Sequence, residues 1–349
     1  MKVVSKISNI SGLWNLKGMP FYLKSEFISS FYKNHCNFKH LFIYSDTFRI
    51  YAQVFNLRID KTSNYSKSKI FVYLLSLLKT DVLYLSNSFF TNRPSFFNIN
   101  DKLNINEILS DYKCRTFMIV IPDTLMSNFS ENSKKNFKRI EVEEDMVLSI
   151  HPKWINFDDY KNALKTKYRK KIKLILNRSC DIIVKDLGLN EIKLHSKEIQ
   201  KLFNQVVEKS RFRGPFFNTE TLIDLFEKQI VKIFGYYLND KIVAFSSEIH
   251  EDDCLYSYYV GFDKKLNNKY FLYGRILVET IKHSIDSNRS TIVFGRTANE
   301  YKSNFGAKPI KSYFYVRIRN NFLSYLFFPF LKYIKIPTWK QRNPFKNKN

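Results

Sequence analysis

The residues whose types and spacing could do chemistry are mostly cations. Lys161, Lys165, Arg169 and Lys173 recur at every fourth position, and residues 165–178 carry seven basic side chains and no acid. That spacing puts them on one stripe of a helix, where like charges repel unless water or an anion offsets them. The stripe is therefore either a solvated face or an anion-binding one. The cysteines offer no comparable pattern. Cys36, Cys114, Cys180 and Cys254 lie far apart with no CxxC spacing, which argues against a metal cluster or a disulfide framework and fits a reducing compartment. Glycines point to where a site should sit. Only Gly12 and Gly18 fall in the first half, against seven after residue 150, and close backbone approach to a ligand needs glycine-like freedom. The second half is expected to hold the site.

The 349 residues suggest about two domains. A hydrophobic share of 44% can build real cores and excludes a disordered or collagen-like chain. The net charge is +25, but Lys, Asn, Ile, Phe and Tyr are abundant together, as a codon bias would produce, so local concentration of charge matters more than the total. The N-terminus lacks the apolar core of a signal peptide, and the longest apolar stretches, Phe71–Leu78 and Phe322–Ile334, are shorter than a membrane span. A soluble cytoplasmic protein is expected.

The first half reads as a helix at Leu23–Tyr32, a hairpin at His40–Arg58 turning on Ser45-Asp46, and a short helix at Lys69–Lys79. Strands follow at Val82–Leu85, Thr116–Ile121 and Val147–Ile150, and polar Met126–Asn136 reads as a linker. Tyr160, Leu164, Tyr168, Ile172 and Leu176 form one apolar stripe and predict a continuous helix over Tyr160–Leu176. Beyond it come helices at Ser196–Ser210 and Thr219–Ile230 and strands at Lys232–Leu238, Ile242–His250 and Cys254–Gly261. The pattern ends with helix Tyr270–Ser287, strand Thr291–Phe294, a short helix near Asn299–Asn304 and strand Ile310–Arg319. The order ααβββαβαβ describes a meander followed by a crossover helix. The halves look alike in outline, with VLYLSNSFF (Val82–Phe90) set against TIVFGRTAN (Thr291–Asn299), which suggests a duplication.

That order, with FDDYKNALKTKYRKKIK (Phe157–Lys173) and IVFGRTANEYKSNFGAKP (Ile292–Pro309), resembles the GNAT acyltransferases, in the branch that holds Fem-type peptidyl transferases and CelD/BioF-like acetyltransferases. The resemblance implies an α/β mixed-sheet GNAT-like fold in tandem. Residues 1–150 would be a degenerate domain, 151–320 the catalytic one, and 321–349 a basic apolar tail. It also implies a donor, acyl-CoA (acetyl-CoA foremost), held where the fourth and fifth strands splay apart, with pyrophosphate on amides at the start of the crossover helix. Here that place comprises Gly261, Phe262, Asp263, Lys264, Lys265 and Lys269. The family's Arg/Gln-and-two-glycine signature is absent, so the lysines would supply charge.

Amide formation needs a base near neutral pH and a donor at the oxyanion or leaving group. Fem-type relatives carry Lys where Lys302 stands, beside Tyr301 and four residues before Gly306, so Lys302 is the expected electrostatic stabiliser; a surface lysine is the alternative. Glu248, in a strand among apolar neighbours, is the expected base, its pKa raised by burial, unless it simply faces solvent. Arg296 follows a strand end and could grip a carboxylate or phosphate with two parallel hydrogen bonds, or pair with Glu300. Arg211 and Arg213 would border an anionic acceptor, and Tyr258 would line its pocket or fill the core. No metal is expected. The implied function is N-acylation of an amine, plausibly on a cell-envelope sugar or peptidoglycan-type precursor. A Fem-like transferase using aminoacyl-tRNA is the rival enzyme, and an inactive GNAT-like module binding nucleic acid or an anionic surface is the rival of another class. Eleven basic residues and no acid follow Glu300, and with the apolar Phe322–Ile334 they could rest on an anionic bilayer.

Overall fold

In a computed structural model of the chain, residues 1–10, 12–35, 38–57, 80–90, 93–112, 116–208, 218–320, 322–325 and 338–346 are described. The expected Lys69–Lys79 helix, Arg211 and Arg213, and residues 326–334 of the apolar stretch Phe322–Ile334 lie outside these residues. Two compact units divide the chain. The first comprises Met1–Val142, Arg211–Phe217 and Ser312–Pro337, and the second Glu143–Ser210, Asn218–Lys311 and Thr338–Asn349.

The first unit holds strands β1 (Lys2–Val4), β2 (Lys39–Tyr44), β3 (Arg49–Leu57), β4 (Thr80–Tyr84), β5 (Phe96–Phe97) and β6 (Met118–Pro122). β1, β2, β3 and β4 follow one another antiparallel, and β4 then runs parallel to β6 through Val82↔Met118, Leu83↔Ile119 and Tyr84↔Val120. Leu41, Ile43, Leu83, Ile119, Ile121 and Phe129 fill the core on one face. The polar segment expected as a linker instead contains a short helix, Glu131–Lys134, capped by Ser130, with Phe129 buried ahead of it.

The second unit contains the later part of β7 (Lys138–Ser149), then β8 (Ile183–Asp186), β9 (Lys232–Leu238), β10 (Lys241–Glu251), β11 (Cys254–Phe262) and β12 (Thr291–Gly295), in the order β7-β12-β11-β10-β9-β8. β13 (Lys308–Ile318) closes the described strands, and its part from Phe314 pairs with β6. Asn239 and Asp240 both take positive φ between β9 and β10, as a two-residue hairpin turn requires. The ααβββαβαβ order is as expected; β8, the Leu189–Leu194 helix and a short Lys264–Tyr270 helix ahead of the Leu272–Asp286 crossover helix add to it.

The predicted Tyr160–Leu176 helix is two helices, Phe157–Ala163 and Thr166–Arg178. The C-terminal segment breaks it. Lys346 donates its N–H to the Ala163 carbonyl, Lys165 donates to the Pro344 carbonyl, and Leu164 bridges Phe345, so backbone groups of the helix are spent on a strand-like neighbour. Residues 338–346 thus belong to the second unit, with Phe345 seated on Gly306, where a Cβ would fall 2.2 Å from the ring. Phe322 and Tyr325 are strongly exposed. Among the described residues no helix is long and apolar enough to cross a membrane.

The internal repeat is real, but its alignment shifts. β4 and β11 are the strands that run antiparallel to a hairpin and parallel to the next strand, so VLYLSNSFF corresponds to β11, and the counterpart of TIVFGRTAN is β6 with the residues after it. Apolar runs of similar length carry no mark of strand direction, which is why the two were exchanged.

Candidate active site

β11 and β12 are paired only through Cys254↔Thr291, Leu255↔Ile292 and Tyr256↔Val293. Beyond Tyr256, β11 continues to Phe262 against β10, while β12 ends at Gly295 against β7. The two parallel strands therefore part beyond Tyr256, at the place where the sequence puts the donor site. Aromatic rings cross from one side to the other: Phe262 contacts Tyr273, Tyr273 contacts Tyr301, and Tyr301 contacts Phe305. Gly274 makes room for this row, since a Cβ there would fall 2.6 Å from the Tyr301 hydroxyl.

The residues beyond β12 are bent sharply. Gly295, Thr297 and Ala298 all have positive φ, a costly arrangement for the two non-glycines. Lys302 holds it. From the Asn299–Ser303 helix its ammonium donates to the carbonyls of Phe294 (2.9 Å), Gly295 (2.9 Å) and Arg296 (2.7 Å). Burial pushes the amine down to about 7, while Asp145 and Glu143 pull it up. Three carbonyl acceptors need three N–H donors, so the clamp is complete only as the ammonium. Lys302 therefore faces inward to the backbone and shapes the turn, rather than projecting at a substrate as expected.

Arg296 leaves this turn beside β7, with Nε 3.6 Å from Oδ1 of Asp145. The expected partner, Glu300, is instead engaged by Arg342, whose backbone N–H also reaches the Ser303 hydroxyl. Asp145 is 6% exposed, and burial raises its carboxyl against the pull of Arg296 and Lys302. Nothing in the sequence reading marked it; the run Glu141–Asp145 resembles the solvated edge of a strand.

Glu248 is buried, but it is not an unengaged base with a raised pKa. Burial pushes its carboxyl up, and hydrogen bonds from His250 and His283 outweigh that push and hold it below the usual range. His283, on the Leu272–Asp286 helix, approaches both carboxylate oxygens at 3.0 and 3.1 Å and stacks on Phe234. Burial lowers the His283 imidazole, but contact with Glu248 raises it more. Glu248 is spent on a buried ion pair. The Tyr258 ring contacts that of Tyr259 at a tilt, and burial drives its phenol well up.

The expected phosphate cradle is also occupied from within. Asp263 accepts from the amides of Lys265 and Leu266, Gln205 accepts from Lys264, and Asn267 accepts from Tyr273. A carboxylate at a helix start takes the place an anion would take. Gly261 serves packing, since a Cβ there would lie 2.6 Å from the Phe203 backbone nitrogen on the Ser196–Val207 helix. Lys265 and Lys269 are exposed, and Lys269 lies over the Tyr270 ring. The uncommitted cationic density lies elsewhere. Lys171 sits over the Tyr301 ring at 4.8 Å, its ammonium pushed down by burial and by Arg342 and Lys167, with Glu300 opposing. Of the first stripe, Lys161 pairs with Asp158, Lys165 donates to the Asn343 carbonyl, Arg169 is half-buried and Lys173 is exposed; Lys167, beside the stripe, is exposed.

Residues 196–303 match the family model of the acetyltransferase (GNAT) domain. No curated protein matches the chain. Among solved structures, FemX is similar at TM-score 0.51 and 12% identity, over 93% of this chain and 99% of that one. L-PGS from Bacillus licheniformis gives 0.53 and 10%, over 87% and 95%. The C-terminal domain of a putative lysylphosphatidylglycerol synthetase from Agrobacterium fabrum gives 0.51 and 9%, over 87% and 89%. At these identities the likeness is one of fold. The chain carries a GNAT acetyltransferase domain, and its fold is shared over most of its length with these structures.

Proposed function

We propose that this protein forms an amide by moving an acyl group from a phosphate-bearing carrier to an amine, and that side-chain cations rather than helix amides grip the carrier. The observation that carries the reading is the parting of β11 and β12, with the amides of Lys264, Lys265, Leu266 and Tyr273 already bonded to Gln205, Asp263 and Asn267 and Lys171 over the Tyr301 ring, close enough to Lys167 and Arg342 to feel their charge. A compact pyrophosphate gains most from unpaired amides. An RNA backbone is gripped by spread-out cations and stacking rings. This favours aminoacyl-tRNA as donor. Acyl-CoA is the second reading, favoured by the match of residues 196–303 to the acetyltransferase domain.

The acceptor in this reading is an amine of a cell-envelope sugar or peptidoglycan-type precursor, the class the Fem-like resemblance implies, with Tyr258 on its side. Arg296 binds an anionic group of donor or acceptor, and Lys302 and Tyr301 hold the turn that presents it. The test is a thermal-shift screen with acetyl-CoA, longer acyl-CoAs and charged tRNA, followed by mass spectrometry for an amide on a model amine. A melting temperature raised by charged tRNA alone supports the RNA donor. A shift with acyl-CoA alone selects the second reading. Binding of an anionic surface without any amide product would leave the inactive module.

A further inference from the structure

The described carboxylates of the second unit near the exit of β12 are not equally committed. Glu300 is bound by Arg342, Asp263 caps a helix, and Glu248 is held by two histidines. Asp145 differs. Met146 pairs with Gly295, which places Asp145 alongside Arg296 where β12 ends. Its side chain is buried, its Oδ1 has no hydrogen-bond partner among the described residues, and Arg296 Nε stands 3.6 Å from it, beyond a good hydrogen bond. Lys302, the other neighbouring cation, spends its donors on three carbonyls. A buried carboxylate oxygen left unbonded is costly unless something else uses it.

We propose that Asp145 is the proton acceptor of the transfer reaction, a role that rests on the N-acyltransferase reading. An acceptor ammonium gives one proton to the unbonded Asp145 oxygen. The freed nitrogen lone pair forms the C–N bond at the donor carbonyl carbon, whose π electrons move to oxygen. Collapse of that intermediate breaks the bond to the carrier, and the leaving thiolate or alkoxide takes the second nitrogen proton. Asp145 then returns its proton to solvent, so ammonium and acyl donor yield amide, protonated carrier and one proton. The groups facing Asp145 are Arg296 from the exit of β12, Lys302 from the Asn299–Ser303 helix, and Glu143 on its own strand. Burial raises this carboxyl despite the cations, toward the range where a base can both accept and release a proton.

The test compares the wild type, Asp145→Asn and Asp145→Glu for amide formation across pH, with donor-induced thermal shift recorded for each. Asp145→Asn should keep the donor shift, lose turnover by about 10²–10³-fold, and regain rate with rising pH as free amine accumulates. Asp145→Glu should keep an acid limb in its profile. Arg296→Gln, which removes the cation holding the carboxyl down, should move the wild-type acid limb to higher pH, and it reads the same group if Asp145→Asn does not fold. Asp145→Asn within about threefold of the wild type with its acid limb intact overturns the proposal, as does an acid limb unmoved by Arg296→Gln. A wild type that neither shifts with any donor nor forms amide would instead remove the N-acyltransferase reading itself.

Discussion

The two units build the same parallel ladder and leave it differently. β4 meets β6 and β11 meets β12 over three residue pairs each, and each ladder ends on a tyrosine facing a valine, Tyr84↔Val120 and Tyr256↔Val293. After Val120 the first unit places Pro122 and a helix at Asp123–Met126, and the same distance past that valine as Lys302 stands from Val293 it buries Phe129. After Val293 the second unit places Gly295, a left-handed Thr297-Ala298 pair and the inward ammonium of Lys302. Polar groups differ likewise. Beside β4, His40, Tyr51, Gln53 and Ser88 form a neutral hydrogen-bonded chain, with the Tyr32 ring against His40 and the Phe42 ring against Tyr51. Beside β12, Asp145, Arg296 and Lys302 bring charge to the strand end. One ladder thus supports a sealed core and the other a charged turn. The difference lies in a few residues past the last rung.

The largest expected effect breaks the charged turn. Lys302→Met leaves three carbonyls without their donor and Asp145 with one cation fewer, so amide formation should fall at least about 100-fold and stability by about 3–5 kcal/mol, read by turnover and chemical denaturation. Its counterpart, Phe129→Ala, should cost about 3–5 kcal/mol by emptying the first core, yet leave turnover per folded molecule unchanged.

A pH series contrasts the units further. Burial lowers the His40 imidazole to about 4, so on acidification the unfolded chain gains a proton near the ordinary histidine range before the folded one does. His40 should therefore destabilise the protein as pH falls from about 6.5 toward 4, by at most about 3 kcal/mol. His283 has the opposite sign. Its raised pKa contributes stability that is complete below the ordinary histidine value and is lost as pH rises through the raised one. Melting curves of His40→Asn and His283→Gln against the wild type should diverge from it at opposite ends of that range. The smallest effect is Gly274→Ala, where the added methyl meets the Tyr301 hydroxyl and Ile175; a loss of about 1–3 kcal/mol with a several-fold drop in turnover is expected.

Much of the second unit was legible in its sequence. The strands at 232–238, 254–261 and 291–294 follow from clean apolar runs between turn residues, and Asn239-Asp240 names its own hairpin turn. Glycines and the segment Phe294–Ala307 pointed to the region beyond β12. What the individual side chains do there was not legible. Lys302 reads as a surface lysine or a catalytic one, and only the fold turns it toward three carbonyls of its own chain. Glu248 and His283 are 35 residues apart, so no local pattern links them. The break at Leu164 comes from a segment nearly two hundred residues later, which helical periodicity cannot foresee. Asp145 was hidden in an acidic run because burial at a strand end depends on its neighbour strand.

The most direct test of the cationic grip is donor affinity measured across salt concentration for the wild type and for Lys167→Gln/Lys171→Gln. Charged tRNA should bind the wild type with a steep loss of affinity as salt rises, and the double variant should flatten the slope of log affinity against log salt by about 1.5. Equal slopes for the two proteins, or a donor bound without salt dependence, would contradict it.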